Sequence, residues 1–465
     1  MADKKKDGLS RKSFLRKMGA ASAAMAGVPF LTGSTRKHQE YVGLKDFSGN
    51  YSANDKINIA LVGAGDMGQG NLATALQHSG TKVVAACDLY DSRLTRCKQN
   101  WGDDIFTTND YREILERDDV DAIINATADH WHKDITIDAL NKNIPVYLEK
   151  PMVQRVEEGK AVIEAEKNSD APLIIGSQRT SHILYEKAGE LIKDGEIGDL
   201  NFVEGYWDRF SAIGAWQYSI PPNADESNVD WQTFRKDLPD MAFDPKHFFR
   251  WRNYNEYGTG VAGDLFVHLF SGLHMMIDSK GPDSIMATGG LRHWHDGRNA
   301  EDVMLGLFNY PETETHPNFS LSLRVNFADG SGGGSLIRLV GNEGEIEIGW
   351  NSITLRKSSL SEEPGMTIRD FSDGTQEEYQ KYYEEKYPEQ RARVIEPNEF
   401  VYRSPDGYND RYDHFGYFFE SIREGKDVLQ DGTFGLRASA PALLTNVAHR
   451  ENRIVHWDPE NMEIK

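Results

Sequence analysis

The chain has 465 residues, which is long enough for two domains with sizeable hydrophobic cores. Its formal net charge of −21 argues against partners such as nucleic acid or an anionic membrane surface. The two cysteines, Cys87 and Cys97, have neither metal-ligand spacing nor the number that a disulfide framework needs, so we predict no metal site. No apolar run in the sequence reaches the roughly 20 residues of a membrane-spanning helix.

The first 34 residues differ from everything that follows. A basic head precedes Met18–Leu31, a mildly apolar segment rich in alanine and glycine, and this is the layout of a secretory signal. Ser10–Arg16 resembles the twin-arginine export signal of bacteria, although Lys12 stands where the second arginine would be. We therefore expect an exported or periplasmic protein; the alternative is a basic tail on a cytoplasmic enzyme. Residues 35–54 are polar and aperiodic, which predicts a linker.

The stretch from residue 56 to residue 88 has the pattern of a nucleotide-binding β-α-β unit. Its predicted elements are a strand, a helix and a second strand at Ile57–Val62, Gln69–His78 and Lys82–Cys87. Gly63 allows a tight turn, Gly65 allows a close approach to a pyrophosphate, and Gly68 allows close packing of the helix on the strand. Asp88, 20 residues after Gly68, is placed to bind a ribose 2′-OH, which favours NAD over NADP. The alternative is a glycine-rich turn in some other α/β fold.

Strands and helices continue to alternate up to residue 178. Helices are predicted at Asp110–Arg117, Lys133–Asn141 and Val153–Lys167, and strands at Ala122–Thr127, Pro145–Leu148 and Leu173–Gly176. Alternation of this kind predicts a doubly wound parallel sheet with helices on both faces. We therefore assign residues 55–178 to an NAD-binding Rossmann domain.

Residues 179–465 follow a different pattern. Extended segments of alternating hydrophobicity, such as Val303–Tyr310 and Phe319–Phe327, are mixed with helical ones. This predicts an α+β domain for substrate binding and oligomerisation, built on a large open antiparallel sheet. Because an open apolar face needs covering, we expect a homo-oligomer, either a dimer or a tetramer. Residues 358–410 are charged and weakly patterned, which predicts a surface excursion.

A lysine stands where a ligand of the parallel sheet would bind. Glu149, Lys150 and Pro151 come just after a predicted strand, and ligands of such sheets bind beyond the carboxyl ends of the strands. A partly desolvated lysine there can donate to a substrate hydroxyl or exchange a proton with it. The alternative is a surface lysine paired with Glu149, and the local sequence does not decide between the two.

A second candidate site lies at Asp264 and His268. These residues are i and i+4 of a predicted helix over Asp264–Ile277, so their side chains share one helix face. A carboxylate beside an imidazole can set its tautomer and raise its pKa, which suits proton transfer near neutral pH. The alternative is a helix-capping aspartate and a packed histidine. His274 lies about 240° further round the helix and is interpreted as structural.

The loop Thr127–His132, with the sequence TADHWH, directly follows a predicted strand of the nucleotide unit. Its backbone and polar groups would face the cofactor. Asp129 has a second interpretation, since it could be only the N-cap of the next helix.

Together these motifs resemble those of the glucose–fructose oxidoreductase / inositol dehydrogenase (Gfo/Idh/MocA) family, in an exported bacterial form, over nearly all of the chain after residue 55. The matching motifs are VGAGDMG at Val62–Gly68, CD at Cys87–Asp88, TADHWH at Thr127–His132, EKP at Glu149–Pro151 and D-x-x-x-H at Asp264–His268. Two positions depart from the family pattern. Ala128 replaces the usual proline, and Ser271 stands where many members carry an aspartate.

The resemblance implies roles for the site residues. His268 would take the hydroxyl proton as hydride leaves, Lys150 would polarise that oxygen, and Asp264 would hold His268 and bind a neighbouring hydroxyl. The residues expected to bind NAD are Gly63, Gly65, Asp66, Met67, Gly68, Asp88, Arg93, Thr127, Asp129, His132 and Glu149. Of the tryptophans in the second domain, we expect one or two in the site, and Arg250 with Trp251 is the predicted substrate wall.

The implied activity is that of an NAD(H)-dependent oxidoreductase that transfers hydride at a ring carbinol carbon of a sugar or sugar derivative. One alternative follows from the export signal, because free NAD is scarce outside the cytoplasm. A glycosidase or lyase that keeps and recycles its NAD would work there. The other alternative is a nucleotide-bound sugar-binding protein, which the fold alone does not exclude. The pair Lys150 and His268 argues against it, since binding needs no proton transfer.

Overall fold

The computed structural model describes residues 37–47, 49, 51, 55–358, 364–387 and 399–465, so the export signal predicted over residues 1–34 lies outside the described residues. The strands are β1 Lys37–Tyr41, β2 Ile57–Val62, β3 Thr81–Cys87, β4 Phe106–Thr108, β5 Ala122–Asn125, β6 Val146–Leu148, β7 Leu173–Ile175, β8 Leu200–Asp208, β9 Ser284–Gly290, β10 Val303–Tyr310, β11 Phe319–Asn326, β12 Gly334–Gly341, β13 Gly344–Ile348, β14 Ser352–Lys357, β15 Glu399–Arg403, β16 Val455–Asp458 and β17 Glu463–Ile464. The α-helices are α1 Asp66–Ala75, α2 Asp91–Trp101, α3 Tyr111–Leu115, α4 His132–Leu140, α5 Gly159–Lys167, α6 Ile183–Lys193, α7 Trp231–Arg235, α8 Pro245–Phe249, α9 Val267–Ile277, α10 Asp373–Lys386, α11 Asp410–Glu424 and α12 Gly432–Glu451.

Strands β2 to β7 form a six-stranded parallel sheet in the order β4-β3-β2-β5-β6-β7. They are short and apolar, and every residue of β5, β6 and β7 is buried, as expected of a sheet covered on both faces. This confirms the predicted doubly wound fold. The strand order reverses between β2 and β5, so a crevice opens at their carboxyl ends, where ligands of such sheets bind.

Helix α1 begins directly after the glycine-rich turn. It starts at Asp66, three residues before the predicted start, because Gly65 already takes the N-cap position. Gly63 has φ +89°, a conformation that a side chain rarely allows. A Cβ on Gly68 would lie 1.9 Å from the carbonyl oxygen of Gly63, so only glycine lets the helix pack this close to the strand.

Strands β1 and β8 to β17 form a second sheet of eleven strands, in the order β1-β15-β14-β13-β12-β8-β11-β10-β9-β16-β17. Most pairs are antiparallel, while β1–β15 and β8–β11 are parallel. Its central strands alternate between buried and exposed positions, as in β10 and β11. The buried face shares one core with α9 and α12. The predicted large sheet is therefore confirmed, with two parallel pairs that the sequence did not indicate.

Two segments that the sequence described as irregular contribute to this sheet. The predicted linker contains β1, and the predicted surface excursion contains both α10 and β15. Strand β1 pairs in parallel with β15, from Lys37 opposite Glu399 to Tyr41 opposite Arg403. The linker prediction was wrong for Lys37–Tyr41, whereas a surface position of residues 358–410 is compatible with α10, whose residues are mostly exposed. Strands at the end of a sheet are half-exposed and held mainly by backbone hydrogen bonds, so they lack the apolar alternation on which the prediction relied.

The C-terminal helix α11 packs against the nucleotide domain. Phe415, Phe418 and Phe419 of α11 belong to the same buried cluster as the strands β2 and β3. The Phe415 ring stacks on that of Tyr147 from β6, with 4.2 Å between ring centroids. The two domains are thus packed into one body around a common crevice. Among the helices in the described part of the chain, none is both long and apolar enough to cross a bilayer.

Candidate active site

A cavity of about 820 Å³ lies at the carboxyl ends of the parallel strands, between the two domains. Its wall contains the glycine-rich turn after β2 and the residues that follow β3 and β6. The opposite wall comes from the second domain and includes Trp216, Trp251, Asp264 and His268. The cavity therefore joins the predicted nucleotide site to both predicted chemical sites.

The nucleotide end of the cavity fits a dinucleotide. A Cβ on Gly65 would meet nothing nearer than Arg93 at 3.8 Å, so the backbone there is open to the cavity and can be approached closely. Asp88 is buried, and its two carboxylate oxygens accept hydrogen bonds from the backbone N–H groups of Ala64 and Tyr90, at 2.8 and 3.0 Å. These bonds fix a carboxylate at the end of β3 next to the glycine-rich turn, where a ribose hydroxyl would bind.

Most of the residues predicted to bind NAD line this cavity. They are Gly63, Gly65, Asp66, Met67, Asp88, Arg93, Thr127 and Glu149. Arg93 forms an ion pair with Asp88 at 3.3 Å. Glu149 accepts a hydrogen bond of 2.7 Å from Asn71 Nδ2, not from Lys150. The sequence alternative of a surface pair between Glu149 and Lys150 is therefore wrong.

Three of the predicted cofactor residues do not line the cavity. Gly68 packs beneath the turn. His132 is buried, with its ring nitrogens 2.8 Å from the carbonyl oxygen of Pro151 and 3.3 Å from that of Thr127, so it supports the two loops. Asp129 is also buried, accepts a hydrogen bond of 2.9 Å from Thr259 Oγ1, and has its pKa raised to about 7 by burial. Neither His132 nor Asp129 lines the cavity, and their contact with the cofactor stays a prediction.

Lys150 and Asp264 meet at the centre of the cavity. Lys150 Nζ donates to the carbonyl oxygen of Asp264 at 2.8 Å and to its Oδ1 at 2.9 Å. Arg252 Nε approaches the same Oδ1 at 3.4 Å. Burial alone would raise the pKa of Asp264, but the charges of Lys150 and Arg252 outweigh it and hold that pKa well below its usual range. Asp264 is therefore an ionised carboxylate shared by two cations.

His268 lies beside this cluster with its ring stacked on Trp207, at 4.7 Å between centroids. Its Nδ1 is buried and has no hydrogen-bond partner among the described residues. Burial, and next the charges of Lys150 and Arg179, lower its pKa well below the ordinary value. Asp264 does act to raise this pKa, as predicted, but burial and the charges of Lys150 and Arg179 outweigh its effect. His268 is consequently neutral near pH 7 and able to accept a proton.

The two residues of the predicted substrate wall lie in different positions relative to the cavity. Trp251 lines the cavity, whereas Arg250 donates to the carbonyl oxygen of Tyr218 at 2.7 Å and to Gln217, and does not line it. The second domain contributes two other arginines to the wall, Arg252 and Arg209, which the sequence argument missed. Arg209 directly follows the carboxyl end of β8, and that position is the signal that could have found it.

The remaining predictions about side chains concern His274 and the tryptophans. His274 is buried in α9, with Nε2 2.9 Å from the hydroxyl of Tyr310, and its structural interpretation is confirmed. Trp216 and Trp251 line the cavity, in keeping with the expected one or two tryptophans. In the part of the chain that the structure describes, no group of three or more His, Cys, Asp or Glu side chains is arranged to hold a metal ion.

Curated relatives match part of the chain. Inositol 2-dehydrogenase of Salmonella typhimurium (strain LT2) is 32% identical over 167 residues, which make up 36% of this chain and 49% of that protein. A glycosyl hydrolase family 109 protein of Shewanella baltica (strain OS155) is 28% identical over 170 residues, or 34% of this chain and 36% of that protein. The chain thus spans about half the length, or less, of the curated relatives it matches.

Solved structures share the fold over most of the chain. Aldose-aldose oxidoreductase of Caulobacter crescentus, complexed with glycerol, has a TM-score of 0.61 and 16% identity, covering 86% of this chain and 99% of that one. Levoglucosan dehydrogenase in complex with NADH and levoglucosan has a TM-score of 0.62 and 15% identity, with the same coverage of 86% and 99%. At such low identity the likeness shows a common fold.

Family models cover most of the sequence. Residues 57–177 match the model described as an oxidoreductase family, NAD-binding Rossmann fold. Residues 226–456 match the C-terminal alpha/beta domain of the same family. The nucleotide domain is therefore an NAD-binding Rossmann domain, and the chain belongs to the GFO_IDH_MocA oxidoreductase family.

Proposed function

We propose that this protein is an NAD-dependent oxidoreductase that oxidises a hydroxyl of a sugar or sugar derivative. The observation that carries the proposal is the cluster of Lys150, Asp264 and His268 in the same cavity as the glycine-rich turn. A proton donor, a fixed carboxylate and a neutral imidazole have no role in holding a nucleotide. They are the groups that the oxidation of an alcohol requires.

Each residue of the cluster has a separate task. NAD, when bound along Gly63, Gly65 and Asp88, supplies the hydride acceptor. Lys150 Nζ has three N–H donors. Two of them donate to Asp264, so the third is available for the substrate oxygen. The neutral imidazole of His268 takes the hydroxyl proton, and the lowered pKa keeps it in its basic form at neutral pH.

The test is a panel of sugars and cyclic polyols incubated with NAD, with NADH formation followed by its absorbance. Replacing both Lys150 and His268 by alanine should cut turnover by orders of magnitude while NADH binding, measured by fluorescence, persists. Full activity of the double variant would refute the assignment. Calorimetric binding of a sugar with no change in nicotinamide absorbance would instead favour the sugar-binding protein.

A second candidate function is a glycosidase or lyase that retains its NAD. It is favoured by the similarity to the glycosyl hydrolase family 109 protein of Shewanella baltica. The protein purified without added cofactor should then release nitrophenol from one of a panel of nitrophenyl glycosides, and borohydride reduction of its cofactor should stop the release. A protein that purifies without nucleotide and turns over only with added NAD would contradict this candidate.

A homo-oligomer is part of the proposal, because the outer face of the large sheet carries an apolar patch. Met286, Leu305 and Leu307 on β9 and β10 are 40%, 43% and 52% exposed, and Met286 lies directly opposite Leu307. Contiguous exposed apolar side chains of this kind are usual at interfaces. We expect light scattering to give a dimer or tetramer that Leu307→Lys dissociates. The control Leu429→Lys, at a residue 55% exposed outside the sheet, should leave it intact. A monomeric wild type would refute the expectation.

Export is the last part of the proposal and rests on the sequence of residues 1–34 alone. Expression of the full chain in a bacterium should give a periplasmic protein whose mass shows loss of about this segment. A full-length protein confined to the cytoplasm would contradict it.

A further inference from the structure

Arg209 is a fixed cation in the wall of the cavity. It follows the last residue of β8, and its Nη1 donates to the carbonyl oxygen of Gly214 at 2.9 Å. Its guanidinium also lies over the ring of Phe327, 5.5 Å from the centroid. Among the described residues it forms no ion pair with a carboxylate, although its charge is one of those that lower the pKa of Asp264. The side chain is therefore held in place by uncharged groups.

The charges at this end of the cavity do not balance. Lys150, Arg252 and Arg209 supply three positive charges, and the first two already share the single carboxylate of Asp264. The nearby carboxyl of Asp129 does not supply a full charge, since burial raises its pKa to about 7. Glu149 is bound to Asn71 on the side of the nucleotide domain. The excess of cations close to Asp264 would attract an anionic group of a ligand to this part of the cavity.

Aromatic residues of the second domain contribute to the wall on the side of Arg209. Trp216, Tyr218 and Trp251 line the cavity there. Trp216 is buried and has φ +62°, a strained conformation for a bulky residue. The strained turn is held by Arg298, whose Nη2 donates to the carbonyl oxygen of Ala215 at 2.7 Å. The loop after β8 is thus a built surface with aromatic side chains beside one unpaired guanidinium.

We propose that the substrate is an acidic sugar, and that Arg209 binds its carboxylate while the cluster of Lys150, Asp264 and His268 acts on a hydroxyl of the same ring. This inference rests on the proposed function and names its substrate class. A carboxylate matches one guanidinium, which retains its Nε and Nη2 donors for a two-pronged bond after Nη1 has bonded Gly214. A sugar phosphate is the alternative anion, and the 6-phosphates in the experiment test it.

The experiment compares matched pairs of a hexose, its hexuronic acid and its 6-phosphate in the glucose, galactose and mannose series. Affinity is read from quenching of the tryptophans that line the cavity, and kcat/KM from NADH formation with added NAD. In the wild type, at least one uronic acid should bind ten times or more tighter than its neutral hexose. In Arg209→Gln, the ratio of the affinity for the acid to the affinity for the neutral sugar should fall at least tenfold.

Two further variants make the result specific. Arg209→Lys should recover part of the ratio, because it keeps the charge but loses the planar fork. The control Arg453→Gln removes an exposed arginine paired with Glu451 and should keep the wild-type ratio. Thermal melting and NADH affinity of Arg209→Gln equal to those of the wild type would show that the variant is folded.

The outcomes separate this inference from the proposed function. Oxidation of neutral hexoses with no preference for any acid, or preference for the 6-phosphates, would overturn the inference and leave the oxidoreductase standing. A preference for acid that Arg209→Gln does not reduce would also overturn it. Tight, Arg209-dependent binding of a uronic acid with no NADH formed would support the inference and refute the proposed oxidation.

Discussion

Replacing Lys150 by methionine tests the central assignment, because the structure gives Lys150 three measurable roles. It donates two hydrogen bonds to Asp264, it is the second cause of the lowered pKa of His268, and it has one N–H left for substrate. Loss of a positioned proton donor costs 10²- to 10⁴-fold in rate, or about 3–5 kcal/mol in kcat/KM. Loss of one partner from a buried ion pair costs a similar amount of folding free energy, about 3–5 kcal/mol. Arg252 remains beside Asp264 and reduces this second cost.

The pH profile of kcat/KM separates catalysis from stability. In the wild type, the lowered pKa of His268 keeps the base neutral, so activity should stay level as pH falls to 6.5 and drop only below it. In Lys150→Met one positive charge is gone, so the pKa of His268 should rise and the acid limb should move to higher pH. The control is Lys160→Met, at an exposed lysine paired with Glu463. A variant that loses activity while its acid limb stays in place would refute the electrostatic reasoning.

The remaining predictions concern the nucleotide turn and a buried carboxyl. Gly65→Ala should keep the melting temperature but weaken NADH binding tenfold or more, because its Cβ meets only open space where the pyrophosphate would lie. Gly68→Ala should instead lower the melting temperature sharply, since its Cβ would collide with the backbone of Gly63; equal melting of the two variants would contradict this. In the folded protein Asp129 keeps its proton up to about pH 7, whereas in the unfolded chain it releases the proton near pH 3.8. Its contribution to the free energy of unfolding is therefore full below pH 3.8 and is lost as pH rises through 7, by up to about 4 kcal/mol. Between about pH 5 and pH 8, the melting temperature of Asp129→Asn should therefore fall less than that of the wild type. An equal fall of the two melting temperatures would refute the buried-carboxyl argument.

The nucleotide half of the cavity could be predicted from the sequence because its requirements are local. Gly63, Gly65 and Gly68 are each required by a steric constraint from residues close to them in sequence. Asp88 follows Gly68 at the spacing that this motif requires. The strands of this domain are buried on both faces, so their apolar runs are strong signals. The edge strand β1 and its neighbour β15 had no such signal, since their pairing joins residues far apart in sequence.

The substrate half was predicted less well because its contacts cross between the domains. Lys150 and Asp264 are separated by 114 positions, and nothing near either of them shows that they pair. Arg209 and Arg252 belong to the same domain as Asp264, and Arg252 is only 12 positions from it, but both lie just outside the regular strands and α-helices. Arg250 was chosen in place of Arg252 because periodicity does not reveal which side chain of an irregular turn faces inward.

The irregular helix at Ala262–Phe266 explains how Asp264 can serve two purposes. The D-x-x-x-H spacing predicted a regular helix face, but this segment is π-helical and α9 begins only at Val267. A π-helical turn is a costly local departure that is often found at functional sites. Here Lys150 Nζ reaches both the carbonyl oxygen and the carboxylate of Asp264, so backbone and side chain of one residue face the same ammonium group. With Asp264 held in this way its carboxylate stays ionised and bound to cations, and His268 one turn later remains neutral. The irregular backbone therefore presents two acceptors of Asp264 to Lys150, and His268 is left as the neutral base of the cluster.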